Sequence, residues 1–271
     1  MRMPKYTLIE KETTVKLSFL LPTLAAVLAV VLGGYVTNAG ETPQVIVLKL
    51  DDVVAYRSED GSPVSDRWQR ITDFLKASEI KASCGIIGFS LEKDNATYFD
   101  WIKDVHKSGL IEFWNHGYRN RKATDKTGEF EGSFEEQKAA LEKTQRLARE
   151  KLGIELKAFG PHWSRTNKHT ARALEGIPEI KIWFYGQKGT TKFIFPRFLT
   201  LENPTHAADF AKFKAAYERV GHDKKCLALQ GHPNSWNDER WANFVKIIDY
   251  LRSKGCLFMT PSEYMAKVSR R

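Results

Sequence analysis

The segment Val45-Ile-Val-Leu-Lys-Leu50 is a short, mainly apolar run, and Asp51 and Asp52 follow it directly. A run of this length and composition, bounded by polar residues, is typical of a strand that is buried in a parallel sheet. In barrels built from such strands, ligands and chemistry gather at the carboxyl ends of the strands. The segment therefore predicts a strand at Val45–Leu50 and a polar site immediately after it.

Further apolar runs follow along the chain and alternate with longer segments of helical periodicity. This alternation indicates βα units and a parallel sheet. A chain of 271 residues can bury one substantial core, so we expect a single-domain α/β fold, a distorted (β/α)7-type barrel. The predicted strands are Val45–Leu50, Lys81–Ile87, Leu110–Trp114, Glu155–Phe159, Ile180–Phe184, Cys226–Gln230 and Cys256–Met259, and the predicted helices are Asp66–Ser78, Ala96–Ser108, Phe134–Leu152, Lys168–Glu175, Ala207–Val220 and Asp238–Ser253.

The first forty residues have the layout of a secretory signal. Residues 17–32 are almost wholly apolar, follow three lysines, and lead through Gly33-Gly34 to a small-residue stretch around Ala39. We predict a signal peptide or membrane anchor at 1–39, with cleavage near Ala39, and a barrel domain at 40–271. Pro22 disfavours a buried core helix. An exported protein is therefore expected, with membrane association only if the segment stays uncleaved.

The chain is basic, with 42 lysines and arginines against 33 aspartates and glutamates and a formal net charge of +9. Such a surface could attract nucleic acid, anionic lipid or an acidic polysaccharide. Because the sequence has no nucleic-acid motif and no long basic run, an acidic glycan is favoured and nucleic acid is not expected.

The three cysteines, Cys84, Cys226 and Cys256, have no metal-ligand spacing. Small buried hydrophobic side chains are the simpler interpretation. A Cys226–Cys256 disulfide stays open, since both cysteines begin predicted strands in a protein that is expected to be exported.

Polar side chains follow four of the predicted strands. Taken singly, an acidic pair is an ordinary turn and a lone histidine is more often structural. Their conjunction is harder to explain in that way, because core or surface histidines need not collect at strand ends. The candidate residues are Asp51, Asp52, His116, Asn120, His162 and His232.

Four motifs in the chain resemble those of the polysaccharide deacetylase family, also called the NodB-homology family or carbohydrate esterase family four. They occur in the family order and span roughly residues 44–261. The motifs are Leu48-Lys-Leu-Asp-Asp52, His116-Gly-Tyr-Arg-Asn120, Phe159-Gly-Pro-His-Trp163 and Leu229-Gln-Gly-His-Pro233.

The resemblance implies a metal-dependent hydrolase that removes N- or O-linked acetyl groups from a polysaccharide or oligosaccharide. Asp51 would be the catalytic base and His232 the general acid. Asp52, His116 and Asn120 would bind a divalent cation, with His162 as a further candidate ligand. Zn²⁺ is the expected metal, and Co²⁺, Ni²⁺ or Mn²⁺ also suit mixed nitrogen and oxygen ligands.

The sequence departs from the family pattern at three places. Asn120 replaces the usual second histidine. Gly160 stands where the family usually has an arginine that orients the base, so that either Arg119, Arg121 or Arg165 substitutes or the base is less finely tuned. No aspartate follows the fifth predicted strand to orient the acidic histidine. These departures motivate an alternative, a non-catalytic carbohydrate-binding protein on the same barrel. A related barrel hydrolase of small amides is disfavoured by the export signal.

Aromatic and basic residues beside the motifs are candidates for contacts with sugar rings. Trp163 and Trp236 are favoured as stacking platforms because each follows a motif closely. The predicted substrate-binding residues are Tyr118, Arg119, Pro161, His162, Trp163, Arg165 and Trp236.

Overall fold

The computed structural model describes residues 42–56, 61–119 and 124–270. Its first strand, β1, spans Val45–Val53 and is almost entirely buried. Because side chains alternate across a strand, Val45 and Val47 belong to one apolar cluster and Ile46, Leu48 and Leu50 to another. Burial on both faces is the pattern of a parallel sheet that is covered by helices.

All of the strand pairs in the described residues are parallel, and the sheet order is β6-β5-β4-β3-β2-β1-β7, with β8 paired to the start of β1. The sheet is nearly closed into a barrel, which confirms the predicted fold class. After β1, the strands are β2 (Ala82–Ile86), β3 (Ile111–Asn115), β4 (Ala158–Phe159), β5 (Ile182–Phe184), β6 (Phe193–Phe195), β7 (Cys226–Gly231) and β8 (Leu257–Phe258).

Helices connect the strands and begin at polar capping residues. Ser133 with Glu136, and Thr260 with Glu263, form the capping boxes that the sequence pattern indicates. The helices are α1 (Asp66–Ala77), α2 (Ala96–Lys107), α3 (Phe134–Leu147), α4 (Thr170–Glu175), α5 (Phe210–Ala216), α6 (Asp238–Ser253) and α7 (Pro261–Ser269).

Large aromatic side chains fill the barrel interior. Trp114 lies against Gly85 of the neighbouring strand so closely that a Cβ atom at position 85 would lie 2.5 Å from the indole ring. Phe184 also packs on Trp114, with ring centroids 5.2 Å apart. The absence of a side chain at position 85 therefore makes room for the indole ring.

Several details differ from the sequence-based expectations. The predicted helix at Phe134–Leu152 is regular only over Phe134–Leu147 and ends in a wider turn at Ala148–Leu152. The sequence predicts seven strands, but β6 is an additional one. The expected helix at Ala207–Val220 is regular only over Phe210–Ala216, after which the chain forms a wider turn at Tyr217–Gly221. All three cysteines are free, so Cys226 and Cys256 form no disulfide.

The predicted signal segment, 1–39, lies outside the described residues. Within 42–56, 61–119 and 124–270, every helix is too short or too polar to cross a bilayer.

Candidate active site

The two adjacent carboxylates at the end of β1 lie in different environments. The register between β1 and β2 shifts between Leu50 and Val53, and Asp52 adopts a left-handed conformation with a φ of 74°. Asp51 is consequently buried inside the barrel, whereas Asp52 is only partly covered. Because of this irregularity, Asp51 and Asp52 lie in different surroundings although they are adjacent in the strand.

Asp52 meets two histidines from the ends of other strands. His116 follows β3, and its Nε2 atom lies 3.2 Å from Oδ1 of Asp52. His162 follows β4, and its Nδ1 atom lies 3.5 Å from the same oxygen. One donor atom from each of these three residues lies within 4.8 Å of the others. The structure thus brings together Asp52, His116 and His162, which we call the Asp-His-His cluster.

The donors of the Asp-His-His cluster fit a divalent cation. Zinc holds nitrogen and oxygen ligands at about 2.0–2.2 Å, which sets adjacent tetrahedral donors about 3.4 Å apart. Nδ1 of His116 lies 2.6 Å from the Gly160 carbonyl, which orients the ring and leaves Nε2 for a metal. Nε2 of His162 is buried and has no hydrogen-bond partner among the described residues. Asn120, the other predicted ligand, lies outside the described residues.

The electrostatics of this cluster also suit a cation. Burial, followed by the nearby charge of His116, lowers the pKa of His162 well below the usual histidine range, so its imidazole is neutral at pH 7. Burial alone would raise the pKa of Asp52, but the hydrogen bond and charge of His116 outweigh burial and lower it. A neutral imidazole beside an ionised carboxylate is the protonation state that metal binding requires.

The turn that carries His116 is held by a buried carboxylate. Gly117 has a φ of 80°, and Glu129 accepts hydrogen bonds from the backbone N–H groups of Tyr118 and Arg119 at 2.9 and 3.1 Å. Burial raises the pKa of Glu129 to about 7. Tyr118 and Arg119, predicted to bind substrate, line a separate cavity beside Glu129.

Asp51 lies in a polar cage inside the barrel. The Lys49 ammonium donates to both carboxylate oxygens at 2.6 and 2.7 Å, and Gln230 donates to Oδ2 at 2.6 Å. Burial alone would raise the pKa of Asp51, but the Lys49 ammonium, together with the facing histidines, outweighs burial and lowers it. Asp51 is therefore a carboxylate that stays ionised although it is buried.

Lysine, rather than a nearby arginine, orients Asp51, and this corrects the sequence-based expectation. Arg119 pairs with Asp125 at 2.7 Å, and Arg165 pairs with Glu131 at 3.6 Å. Arg121 lies outside the described residues. Lys49 reaches Asp51 directly because it precedes it by two residues, so both side chains point to the same face of β1.

His232, at the end of β7, is oriented by a residue that the sequence analysis missed. Nδ1 of His232 lies 2.7 Å from Oε2 of Glu202, which is itself buried. Burial alone would lower the pKa of His232, but the hydrogen bond to Glu202 and the charges of Asp51, Glu202 and Asp52 outweigh burial and raise it. Glu202 therefore does what the missing aspartate after the fifth strand was expected to do.

Glu202 and His232 also lie beside His206, with one donor atom of each within 4.8 Å of the others. Both Glu202 oxygens are already engaged: one accepts from the His232 N–H and the Trp236 indole, each at 2.7 Å, and the other from the His206 N–H at 2.8 Å and from His232 Nδ1. A carboxylate this fully engaged is a positioning group rather than a ligand with a free lone pair.

One cavity of about 360 Å³ joins these groups. Trp163 stands at its rim with 67% of its surface exposed. Trp236, expected to stack on sugar, is instead 1% exposed and packs on Phe244 with ring centroids 4.7 Å apart; Pro161 is also buried. The lining residues are Asp51, Asp52, His116, His162, Trp163, Ser164, Arg197, Thr205, His206, Gln230 and His232.

Several solved structures that resemble this fold are esterases and related proteins of carbohydrate esterase family 4. The chain is 18% identical to the CE4 domain of a multidomain xylanase from the hindgut metagenome of Trinervitermes trinervoides, with a TM-score of 0.58 over 84% of this chain and 92% of that one. It is 16% identical to a family 4 acetyl xylan esterase from Clostridium thermocellum in complex with a cobalt ion, with a TM-score of 0.54 over 81% and 89%.

A third similar structure is a CE4 family pseudoenzyme from Bacillus anthracis, 15% identical, with a TM-score of 0.55 over 82% of this chain and 65% of that one. No protein-family model and no curated protein matches the sequence. The fold is therefore that of the CE4 proteins, and the resemblance carried by the four motifs is confirmed at the level of the fold.

Proposed function

We propose that the protein is a metal-dependent hydrolase that removes N- or O-linked acetyl groups from an exported or extracellular polysaccharide. One observation carries the proposal: Asp51 and His232 face each other, with Nε2 of His232 3.8 Å from Oδ2 of Asp51, beside the Asp-His-His cluster in a single cavity. A base, an acid and a set of metal ligands around one small space are the groups that metal-assisted hydrolysis requires.

Asp52, His116 and His162 would hold the cation, with Asn120 as a further proposed ligand. A divalent cation in this position supplies a Lewis acid that polarises a carbonyl oxygen and lowers the pKa of water. Two imidazoles and a carboxylate suit zinc first, and cobalt, nickel or manganese as well.

Asp51 and His232 would share the proton transfers. Asp51 is ionised and lines the cavity, so it can accept the proton of the attacking water. The raised pKa of His232 favours its protonated form, so it can donate a proton to the departing sugar nitrogen or oxygen. The tetrahedral oxyanion that forms between these two proton transfers is negatively charged and is stabilised by positive charge nearby, which the protonated form of His232 also provides.

An anionic glycan is the proposed substrate class. Arg197 lines the cavity, and its guanidinium lies 4.9 Å from the centre of the Tyr185 ring. Its hydrogen bond goes to the neutral amide of Gln230, so a substrate carboxylate would meet an arginine beside the reacting groups. Trp163 would stack on a sugar ring at the rim. The similar xylanase domain and acetyl xylan esterase make acetylated xylan the first neutral glycan to compare.

Export is part of the same proposal. A signal segment at 1–39, with cleavage near Ala39, would deliver the domain at 40–271 to the compartment where polysaccharides lie; an uncleaved segment would hold it at the membrane. The alternative is a protein that binds carbohydrate without turnover, and the similar CE4 pseudoenzyme is the reason to consider it. The retained base and acid, each with its own orienting partner, favour turnover.

Acetate release from a panel of neutral and uronic-acid-bearing acetylated polysaccharides tests the proposal. The purified protein would be assayed as isolated, after treatment with a chelator, and after addition of Zn²⁺ or Co²⁺. We expect acetate release that is lost with the chelator and restored by metal. Failure to release acetate from every substrate with every metal, combined with retained binding to one glycan, would favour the binding protein instead.

A further inference from the structure

Lys49 is a buried cation in a position that is otherwise apolar. It follows Val45 and Val47 on the inward face of β1 and is 1% exposed. Aromatic rings surround its ammonium group, with the ring centre of Trp114 at 4.6 Å and that of Tyr185 at 5.5 Å. A lysine in such surroundings is costly unless it has a carboxylate partner.

The partner is Asp51, and the contact leaves one side of the carboxylate open to the cavity. Lys49 reaches both oxygens, while Gln230 donates to Oδ2. The imidazole nitrogens that face Asp51 approach the same Oδ2 atom, at 3.6 Å for His116 and 3.8 Å for His232. The ammonium thus fixes both the position and the orientation of the carboxylate from the side away from substrate.

Gly160 provides the space for the lysine. A Cβ atom at position 160 would lie 3.1 Å from Cε of Lys49, 3.2 Å from the Trp114 ring and 3.3 Å from Cβ of Phe184. Two of these neighbours are bulky aromatic residues in the packed barrel interior, so the flexible lysine is the one that would have to move. Even a methyl group at position 160 would therefore press on the side chain that holds Asp51.

We propose that Lys49 is the positioning residue of the catalytic base, and that Gly160 is the residue whose missing side chain lets Lys49 reach it. This inference rests on the proposed function. Lys49 touches neither substrate nor metal in this arrangement and acts through Asp51 alone. The two positions are therefore coupled: a side chain at 160 should impair catalysis only while the lysine is present.

The test is a double-mutant cycle on the full-length protein with Co²⁺, assayed by acetate release from the acetylated glycan of the panel that the wild type deacetylates fastest. Lys49→Met is expected to lower kcat about 100-fold, because small displacements of a catalytic group cost about that much, while KM and cobalt affinity stay unchanged. Gly160→Ala is expected to lower kcat about tenfold in the wild type by shifting the lysine. In the Lys49→Met background, Gly160→Ala should cause no further loss of kcat.

Lys192→Met is the matched control. Lys192 is a half-buried lysine away from the cavity that donates to the Ile177 carbonyl, and its loss should leave kcat unchanged. If Lys49→Met fails to fold, Gly160→Ala is assayed alone, since it keeps both charges: an unchanged kcat would overturn the inference, and an unchanged cobalt affinity would show that the Gly160 carbonyl still orients His116.

Wild-type kcat in Lys49→Met, or an equal loss from Gly160→Ala in both backgrounds, would overturn the inference. A wild-type protein that releases no acetate would instead overturn the proposed function, and the inference with it, so the two failures are distinguishable.

Discussion

Nε2 of His232 lies 3.8 Å from Oδ2 of Asp51, so an imidazole and a carboxylate from β7 and β1 face each other across the candidate active site. Their surroundings shift their pKa values in opposite directions, upward for His232 and downward for Asp51. The shifts favour the ionised form of the carboxylate and the protonated form of the imidazole. Two titratable groups whose environments separate their pKa values in this way can act as base and acid at one pH.

Asp51→Asn should abolish proton acceptance with little change in shape. We expect kcat to fall at least about 100-fold, the usual contribution of a general base, with metal content unchanged because the cluster ligands remain. Acetate release and metal analysis on the same preparation measure both. Thermal unfolding serves as the control, since the variant leaves Lys49 without a charged partner. Activity within twofold of the wild type would rule out Asp51 as the base.

Glu202→Gln should change the pH dependence of the reaction. Glu202 raises the pKa of His232, so removal of its charge lowers that pKa. Because the acid must be protonated, activity is lost as pH rises through this pKa, and the alkaline limb of kcat/KM should move to lower pH. The control is Glu131→Gln, which removes an acid that pairs with Arg165. An unmoved alkaline limb in Glu202→Gln would contradict the assigned role.

His162→Ala should weaken metal binding. Loss of even an outer partner of a metal ligand typically costs 10- to 100-fold in affinity, so we expect a loss of at least about tenfold when a ligand itself is removed. Competition with a coloured chelator measures the affinity for Co²⁺. His206→Ala is the matched control, a histidine that lines the same cavity but lies outside the Asp-His-His cluster. Equal affinities of the two variants would exclude His162 as a ligand.

Trp163→Ala should raise KM and leave kcat unchanged. An exposed ring that stacks on a sugar contributes about 1 kcal/mol, which corresponds to about fivefold in KM. Trp163→Phe keeps a stacking surface and should recover most of the difference. Initial rates over a range of acetylated oligosaccharide concentrations give both constants. A loss confined to kcat would instead indicate a role in the geometry of the neighbouring His162.

Arg197→Gln should separate anionic from neutral substrates. A partly exposed charge pair contributes up to about 1 kcal/mol, so we expect KM to rise about threefold for a uronic-acid-bearing glycan and to stay unchanged for a neutral one. Raising the salt concentration should reduce the difference in the wild type, because salt screens exposed charges. The same change in KM for both substrates would argue against recognition of a substrate anion.

The sequence was most informative where polar residues directly follow strands. Asp51, Asp52, His116, His162 and His232 all line the same cavity, because the carboxyl ends of parallel strands meet at one edge of a barrel. The local pattern that predicts each strand also fixes the position of the residue after it. The catalytic and metal-binding roles of these residues remain predictions.

The partners of these residues were harder to predict. Glu202 lies in an irregular segment 30 residues before His232, and its approach depends on the path of that segment rather than on any local periodicity. Lys49 had a signal, since a lysine at an inward position of an apolar strand needs a partner two residues away on the same face. Strand β6 was missed because it follows β5 without an intervening helix, so it does not fit the alternation of strands and helices that located the other strands.

The base and the acid are held by different kinds of structure. Lys49 and Asp51 belong to one central strand, so their spacing is fixed once the barrel has folded. His232 receives its orientation from Glu202, which comes from an irregular connection between β6 and α5. A displacement of that connection would disable proton donation while proton acceptance stayed intact. The acid and the base would therefore fail independently, the acid through motion of a loop and the base through a change within the barrel interior.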